Sequence, residues 1–254
     1  MEQITSRTNA LITRIRKLTA ERKHRRREGL MVCEGPKMLA EALQWGAALD
    51  TVVWEAGKQS PQGIPAGVRQ VEVPGDLLSS IAPTQTPQGV LFLCRTPDKA
   101  LPETLPGRRY LVLDGVQDPG NVGTLWRTAD AFGADGLILL PGCADPDSPK
   151  TLRATMGACF RLPVWEGTLD ELLPKLAQAD LPLYATALRE DTVDLRALDL
   201  SRCAVAIGSE GRGVSQAVLD TSAKTVKIPM TDRCESLNAA IAGAVVLWQM
   251  GFGQ

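Results

Sequence analysis

Three short stretches hold the residues whose types and spacing suit chemistry on a bound ligand. The first, Asn121-Val-Gly-Thr-Leu-Trp-Arg127, follows a Gly/Pro loop after an apolar strand. That is the layout of a ligand site at the carboxyl ends of strands. Val122, Leu125, Ala129 and Phe132 fall on one stripe of a helix, and Arg127 falls on the opposite side. A guanidinium there can reach a phosphate, although by pattern alone it also reads as an ordinary surface charge. The second stretch, Ile207-Gly-Ser-Glu-Gly-Arg-Gly-Val214, interleaves Gly208, Gly211 and Gly213 with Ser209, Glu210 and Arg212. Glycines let a backbone approach a ligand closely and offer it N–H and C=O groups. A plain turn before a helix needs one glycine rather than three. The third stretch, Ile228 to Asn238, sets Ile228 and Met230 where they can line an apolar pocket for a flat ring such as adenine. Ser236 and Asn238 are placed to cap the following helix, and Asn121 to cap the helix bearing Arg127.

Other chemistries are excluded. The loops match neither GxGxxG nor GxxxxGK[ST], so dinucleotide and triphosphate binding are not supported. The cysteines at 33, 94, 143, 159, 203 and 234 form no CxxC pair, and His24 is the only histidine. No metal site is expected. The first thirty residues are densely charged and lack an apolar core segment, so no secretory signal is expected. No run approaches a membrane span, the longest being Ala239 to Trp248. The expected setting is the cytoplasm, with reduced thiols.

The charge is uneven. Residues 1–30 carry nine Lys and Arg against Glu2, Glu21 and Glu28, while the other 224 residues sum to −7. A basic arm on an acidic body suggests a polyanionic partner, with Arg22, Lys23, Arg25, Arg26 and Arg27 as its densest cluster. A solvated helix face that binds nothing is the bland alternative.

The elements that must position these residues follow from periodicity. Residues 5–28 read as one helix, followed by strands at 30–33, 51–54, 68–73 and 89–94 and helices from Pro36 and over 76–82. These form an α/β domain over residues 1–95. Residues 96–108, with Pro97, Pro102, Pro106 and Gly107, read as a linker. Residues 109–254 form a second domain. Its strands are expected at 110–114, 136–140, 183–187, 203–207 and 225–228, and its helices at 121–133, 148–160, 168–179, 213–220 and 236–250. Continuous apolar strands between helices indicate a mostly parallel sheet covered on both faces.

In this order and spacing, NVGTLWRTADAFGA, IGSEGRGV and IPMTDRCESLNAAIAGAVVLWQ closely resemble the three motifs of the SpoU (TrmH-type) branch of the SPOUT methyltransferases. ATMGACFRLPV at 154–164 resembles the family's inter-motif helix. MVCEGPKMLAEAL and TPQGVLFLC in the first domain resemble the L30e-like substrate-binding domain many such enzymes carry.

The resemblance implies an RNA 2′-O-ribose methyltransferase using S-adenosylmethionine, built as an L30e-like domain followed by a SPOUT domain with a C-terminal trefoil knot. It implies a homodimer with the active site near the subunit boundary, no metal, and an RNA substrate, ribosomal ahead of transfer RNA. Asn121, Arg127, Glu210, Ser236 and Asn238 match its catalytic positions. Arg127 would orient the ribose–phosphate, held with the nucleotide by Asn121, Glu210 and Ser236. The cofactor would lie against Thr186, Gly208, Glu210, Gly211, Ile228, Met230, Ser236 and Leu237. Arg127 would join the basic arm in contacting RNA. The alternatives are an RNA-binding or ribosome-assembly protein with an inactive fold, and a base-nitrogen methylase, whose branch has different motifs.

Overall fold

The computed structural model describes residues 2–189, 192–231, 233 and 236–253, so Cys234 lies outside the described residues. The chain divides into two compact units, Met1–Pro97 with Asp147–Phe160, and Asp98–Pro146 with Arg161–Gln254.

The first unit runs β1 (Glu2–Gln3), α1 (Ala10–Ala20), α2 (Arg22–Glu28), β2 (Leu30–Glu34), α3 (Pro36–Gln44), β3 (Leu49–Glu55), β4 (Arg69–Val73), α4 (Gly75–Ser79) and β5 (Val90–Arg95). Its sheet has the order β1-β4-β3-β5-β2, with β1, β4 and β3 parallel and β5 antiparallel to both of its neighbours. Leu11, Ile12, Ile15 and Leu18 of α1 bury one stripe against Leu30, Val53 and Leu93. Asn9 caps α1 by accepting from the Leu11 N–H at 2.8 Å.

The single helix expected over 5–28 is two. Glu21 is extended (φ −119°, ψ 115°) and ends α1. The reason lies in Arg25, which is buried at 5% exposure. Its Nη1 donates to the carbonyls of Leu18 at 2.7 Å and Thr19 at 3.2 Å, two of the orphan acceptors at the α1 C-terminus. Arg25 therefore leaves the RNA-contacting set read from the sequence; Arg22, Lys23, Arg26 and Arg27 are exposed. Arg25→Ala should lower stability by about 1.5–3 kcal/mol, the range for hydrogen bonds to charged groups. Lys23→Ala should stay within ~0.5 kcal/mol. Urea denaturation checks both, and equal midpoints would refute the capping role.

The second unit runs β6 (Arg109–Asp114), α5 (Pro119–Ala131) and β7 (Gly136–Leu139). After α6 (Pro149–Thr155), which belongs to the first unit, come β8 (Val164–Glu166), α7 (Leu169–Gln178), β9 (Leu183–Thr186) and β10 (Val193–Asp194). Then follow β11 (Cys203–Gly208), α8 (Gln216–Thr221), β12 (Lys224–Lys227) and α9 (Ala239–Phe252). The seven strands are all parallel in the order β10-β12-β9-β11-β6-β7-β8. Strands after β6 step first one way and then the other, so the order reverses between β6 and β11. In open parallel sheets the carboxyl ends of the strands are where ligands bind.

The expected 148–160 helix stops at α6, because Met156 (φ 50°) and Gly157 (φ 95°) take left-handed conformations that a helix cannot continue through. The segment packs on β2 of the first unit.

Helix α9 lies along α5, and a Cβ on Gly243 would overlap the Leu125 side chain. Gly243, Val246, Leu247 and Met250 are buried. Ile241, Val245, Trp248 and Phe252, at i, i+4, i+7 and i+11, form an exposed stripe on the same helix. Among the described residues, no helix is long and apolar enough to cross a membrane.

Candidate active site

The three chemical stretches meet at the carboxyl edge of the seven-stranded sheet. β6 delivers Asp114, whose Oδ2 accepts from the Ser215 N–H at 2.6 Å and so ties the α8 entry to the sheet. Asp118, not Asn121, is the N-cap of α5, and its carboxylate takes the Asn121 N–H at 2.9 Å. The sequence places both types acceptably; Asp118 wins because Pro119 supplies the first helical position without needing a donor's partner.

Asn121 is thereby released for another task. Its Nδ2 donates to Glu210 Oε1 at 2.7 Å, and its Oδ1 accepts from Asn238 Nδ2 at 3.3 Å. Asn238 also caps α9, accepting from the Ala240 and Ile241 N–H groups at 2.9 and 3.3 Å. One side-chain chain thus links α5, the loop after β11 and the start of α9. Burial raises the pKa of Glu210, but Asn121 and the N–H groups of Glu210, Gln117 and Asp118 outweigh it and hold the carboxyl below its usual range.

The glycines of the second stretch have separate reasons. Ser209 and Gly213 exchange both backbone hydrogen bonds at 3.0 Å, closing a tight loop that needs Gly213 at φ 68°. That loop folds back onto Gly208, where a Cβ would overlap the backbone of Gly213 and Val214. Gly211 stands in open space.

Beside this loop lies a pocket of about 410 Å³. All eight positions expected to hold a cofactor line it: Thr186, Gly208, Glu210, Gly211, Ile228, Met230, Ser236 and Leu237. Thr186 spends its hydroxyl on the Ala206 carbonyl at 3.0 Å, so its role at the pocket is shape. Leu188 and Lys227 also line the pocket and were not read from the sequence. Lys227 follows the apolar Val226 and is visible there only as an alternating strand charge.

Arg127 is not brought in. It is exposed, makes no hydrogen bond or ion pair with a described residue, and does not line the pocket. Six residues along a helix turn it through about 240° from Asn121, onto another face. Among the described residues, none of Asn121, Glu210 and Ser236 bonds to Arg127. Burial pushes Cys143 up to about 11 and Cys159 and Cys203 up to about 12, so none is a nucleophile near neutrality. Among the described residues, no three His, Cys, Asp or Glu are placed to hold a metal.

Residues 108–248 match the SpoU rRNA methylase family model. The chain belongs to this family. Residues 9–91 match the MRM3-like substrate-binding domain, and the mixed α/β architecture, an N-terminal domain with a SPOUT methyltransferase fold, is that of solved relatives. A Bacillus subtilis 23S rRNA (guanosine(2553)-2′-O)-methyltransferase is 31% identical over 98% of this chain and 99% of its own. An uncharacterized tRNA/rRNA methyltransferase of Synechocystis is 36% identical over 97% of this chain and 92% of its own. The AdoMet-bound crystal structure of a Sinorhizobium meliloti rRNA methyltransferase superposes with a TM-score of 0.88, at 32% identity, over 98% of this chain and 97% of that one.

Proposed function

We propose that the protein transfers the methyl group of S-adenosylmethionine to a ribose 2′-hydroxyl of ribosomal RNA. The observation that carries this reading is the convergence of three distant motifs on one pocket through the Asn238–Asn121–Glu210 chain. An inactive RNA-binding fold would have no need to keep that chain intact.

The pocket suits the cofactor. Gly208 leaves no room for a side chain behind the loop, so backbone rather than Cβ atoms face the ligand. Ile228, Met230 and Leu237 supply apolar walls for an adenine, and ionised Glu210 sits at the rim, opposite in sign to a sulfonium. The bound cofactor brings an already activated methyl group. The protein's task is to hold the ribose oxygen in line with the S–CH₃ bond and accept its proton. Arg127 is assigned to the ribose–phosphate and to the developing oxyanion, which a guanidinium stabilises as a donor of several N–H groups. Asn121 and Asn238 position the Glu210 carboxylate, and Ser236 completes the rim.

The reading extends to the knotted C-terminal chain path, the cytoplasm, a metal-free reaction, domains at 1–95 and 109–254 joined by 96–108 with residues 147–160 packed in the first, and RNA contact by Arg22, Lys23, Arg26 and Arg27. It also includes a homodimer. The stripe Ile241, Val245, Trp248 and Phe252 is too apolar for a solvated face, and Arg127 makes no hydrogen bond or ion pair with another described residue. Trp248→Glu should convert a dimer to a monomer in light scattering; an unchanged mass would exclude this face.

Because Glu210 is held below its usual range, its link to Asn121 is fully formed above the ordinary carboxylate pKa and is lost as pH falls through the lowered one. Cofactor affinity should be flat from neutrality to about pH 5 and fall below about pH 4. Glu210→Gln should remove that acid limb, and a wild-type titration centred near pH 6 would contradict the assignment.

The function itself is tested by incubating the protein with methyl-labelled S-adenosylmethionine and ribosomal RNA. Label is expected in an alkali-resistant dinucleotide, the mark of a blocked 2′-hydroxyl. Label on a base, or none, overturns the reading.

A further inference from the structure

The first unit holds a second cavity, about 280 Å³, near the lower end for small-ligand pockets. At its lining stands Glu34, the last residue of β2. Thr84 Oγ1 lies 2.7 and 2.8 Å from the two carboxylate oxygens, and the Gln88 N–H donates to Oε1 at 3.0 Å. One hydroxyl hydrogen serves one oxygen at a time, so these two groups supply two hydrogens. A carboxylate has about four lone-pair sites. Two acceptor sites on Glu34 are therefore unfilled among the described residues, beside a cavity of ring size.

The rest of the lining narrows the ligand. Met38, Pro83 and Pro149 offer apolar surfaces against which a flat ring can lie. Lys150 and Arg153, three residues apart on α6, are exposed and place two cations at the mouth. A ligand with a flat, donor-bearing body and an anionic attachment fits: a nucleobase on its phosphodiester backbone. Of the four RNA bases, guanine alone presents two adjacent N–H donors on one edge, N1–H and N2–H. Adenine turns an acceptor, N1, toward a carboxylate, and uracil has a single N–H.

We propose that this cavity seats an unpaired guanine of the RNA, with Glu34 accepting from N1–H and N2–H and with Lys150 and Arg153 meeting the flanking phosphates. The inference rests on the RNA reading above and adds sequence recognition to the first unit. Single-stranded segments, whose bases can be splayed out, are where proteins read RNA sequence.

The test is fluorescence anisotropy of the full chain with short labelled oligoribonucleotides. One is all uridine, and the others carry a central guanosine, inosine (which lacks N2–H) or adenosine. The guanosine oligomer should bind about tenfold more tightly than the uridine one. Inosine should fall between, and adenosine should gain nothing. Glu34→Gln should bring guanosine down to the uridine level without altering uridine affinity. Arg153→Ala should weaken all four alike and keep the guanosine preference. The base series on the unaltered protein stands whether or not Glu34→Gln folds. Equal affinities across the series, or a preference that survives in folded Glu34→Gln, overturn the proposal. Guanosine monophosphate competing as well as the guanosine oligomer overturns the RNA assignment in favour of a free nucleotide. Failure of every oligomer and of ribosomal RNA to bind marks instead the failure of the RNA reading itself.

Discussion

Arg127→Ala should cut methyl transfer by about 10²–10³-fold, the usual cost of removing one group that stabilises developing charge. Affinity for S-adenosylmethionine should stay within about twofold. The split follows from geometry: Arg127 is exposed, lies on a different face of α5 from Asn121, and does not touch the pocket. Truncating it opens no cavity, since Val122, Leu125 and Ala129 carry the buried side of that helix. Single-turnover kinetics and calorimetry on the same preparation separate the two quantities. Cofactor affinity falling in step with turnover would show that Arg127 belongs to the cofactor site. Arg127→Lys should rescue little, because an ammonium cannot form the planar two-point contact with a phosphate.

Gly208→Ala should abolish cofactor binding, with a loss of at least ~100-fold. Its added methyl would overlap the Gly213 carbonyl carbon and the Val214 nitrogen. Those are backbone atoms of a loop pinned by the Ser209–Gly213 pair and by the Ser215 N–H on Asp114, so they cannot move aside like a side-chain tip. Overpacking of this kind costs about 1–3 kcal/mol or more in stability, and here the displaced atoms are the pocket wall. Gly211→Ala is the control. Its Cβ meets nothing and its φ is not left-handed, so the loop should keep its shape and its melting temperature. Similar calorimetric affinities for the unaltered protein and Gly208→Ala would disprove the close-approach argument.

The site was legible in the sequence where backbone demands leave a residue signature. Gly208, Gly213, Ile228 and Met230 announce a strand ending in a close turn beside an apolar wall, and the structure brings them to one pocket. The strands β6 and β11 carry continuous apolar runs and stand where those runs lie, whereas β12 (Lys224–Lys227) alternates polar and apolar residues. β1, β8 and β10 span two or three residues, too few for any period to register. Arg25 was unreadable for a different reason. Within a run of like charges, burial of one member depends on where the helix breaks, and that is decided by the carbonyls it reaches. Asn121 looked like a cap because it sits at a helix start; the distant Glu210 and Asn238 that give it its task are 89 and 117 residues away. The membership of residues 147–160 in the first unit is likewise tertiary information, set by packing on β2 rather than by local pattern.

Asn238 both starts α9 and closes the link to Asn121 and Glu210. Chains are made from the N-terminus onward, so the walls from β9, β11 and β12 exist before the residue that joins the rim has been translated. A ribosome-bound fragment ending before residue 238 would have a sheet and most of its pocket lining but no connected rim. A chain stalled short of that point lacks the residue that ties the rim to α9.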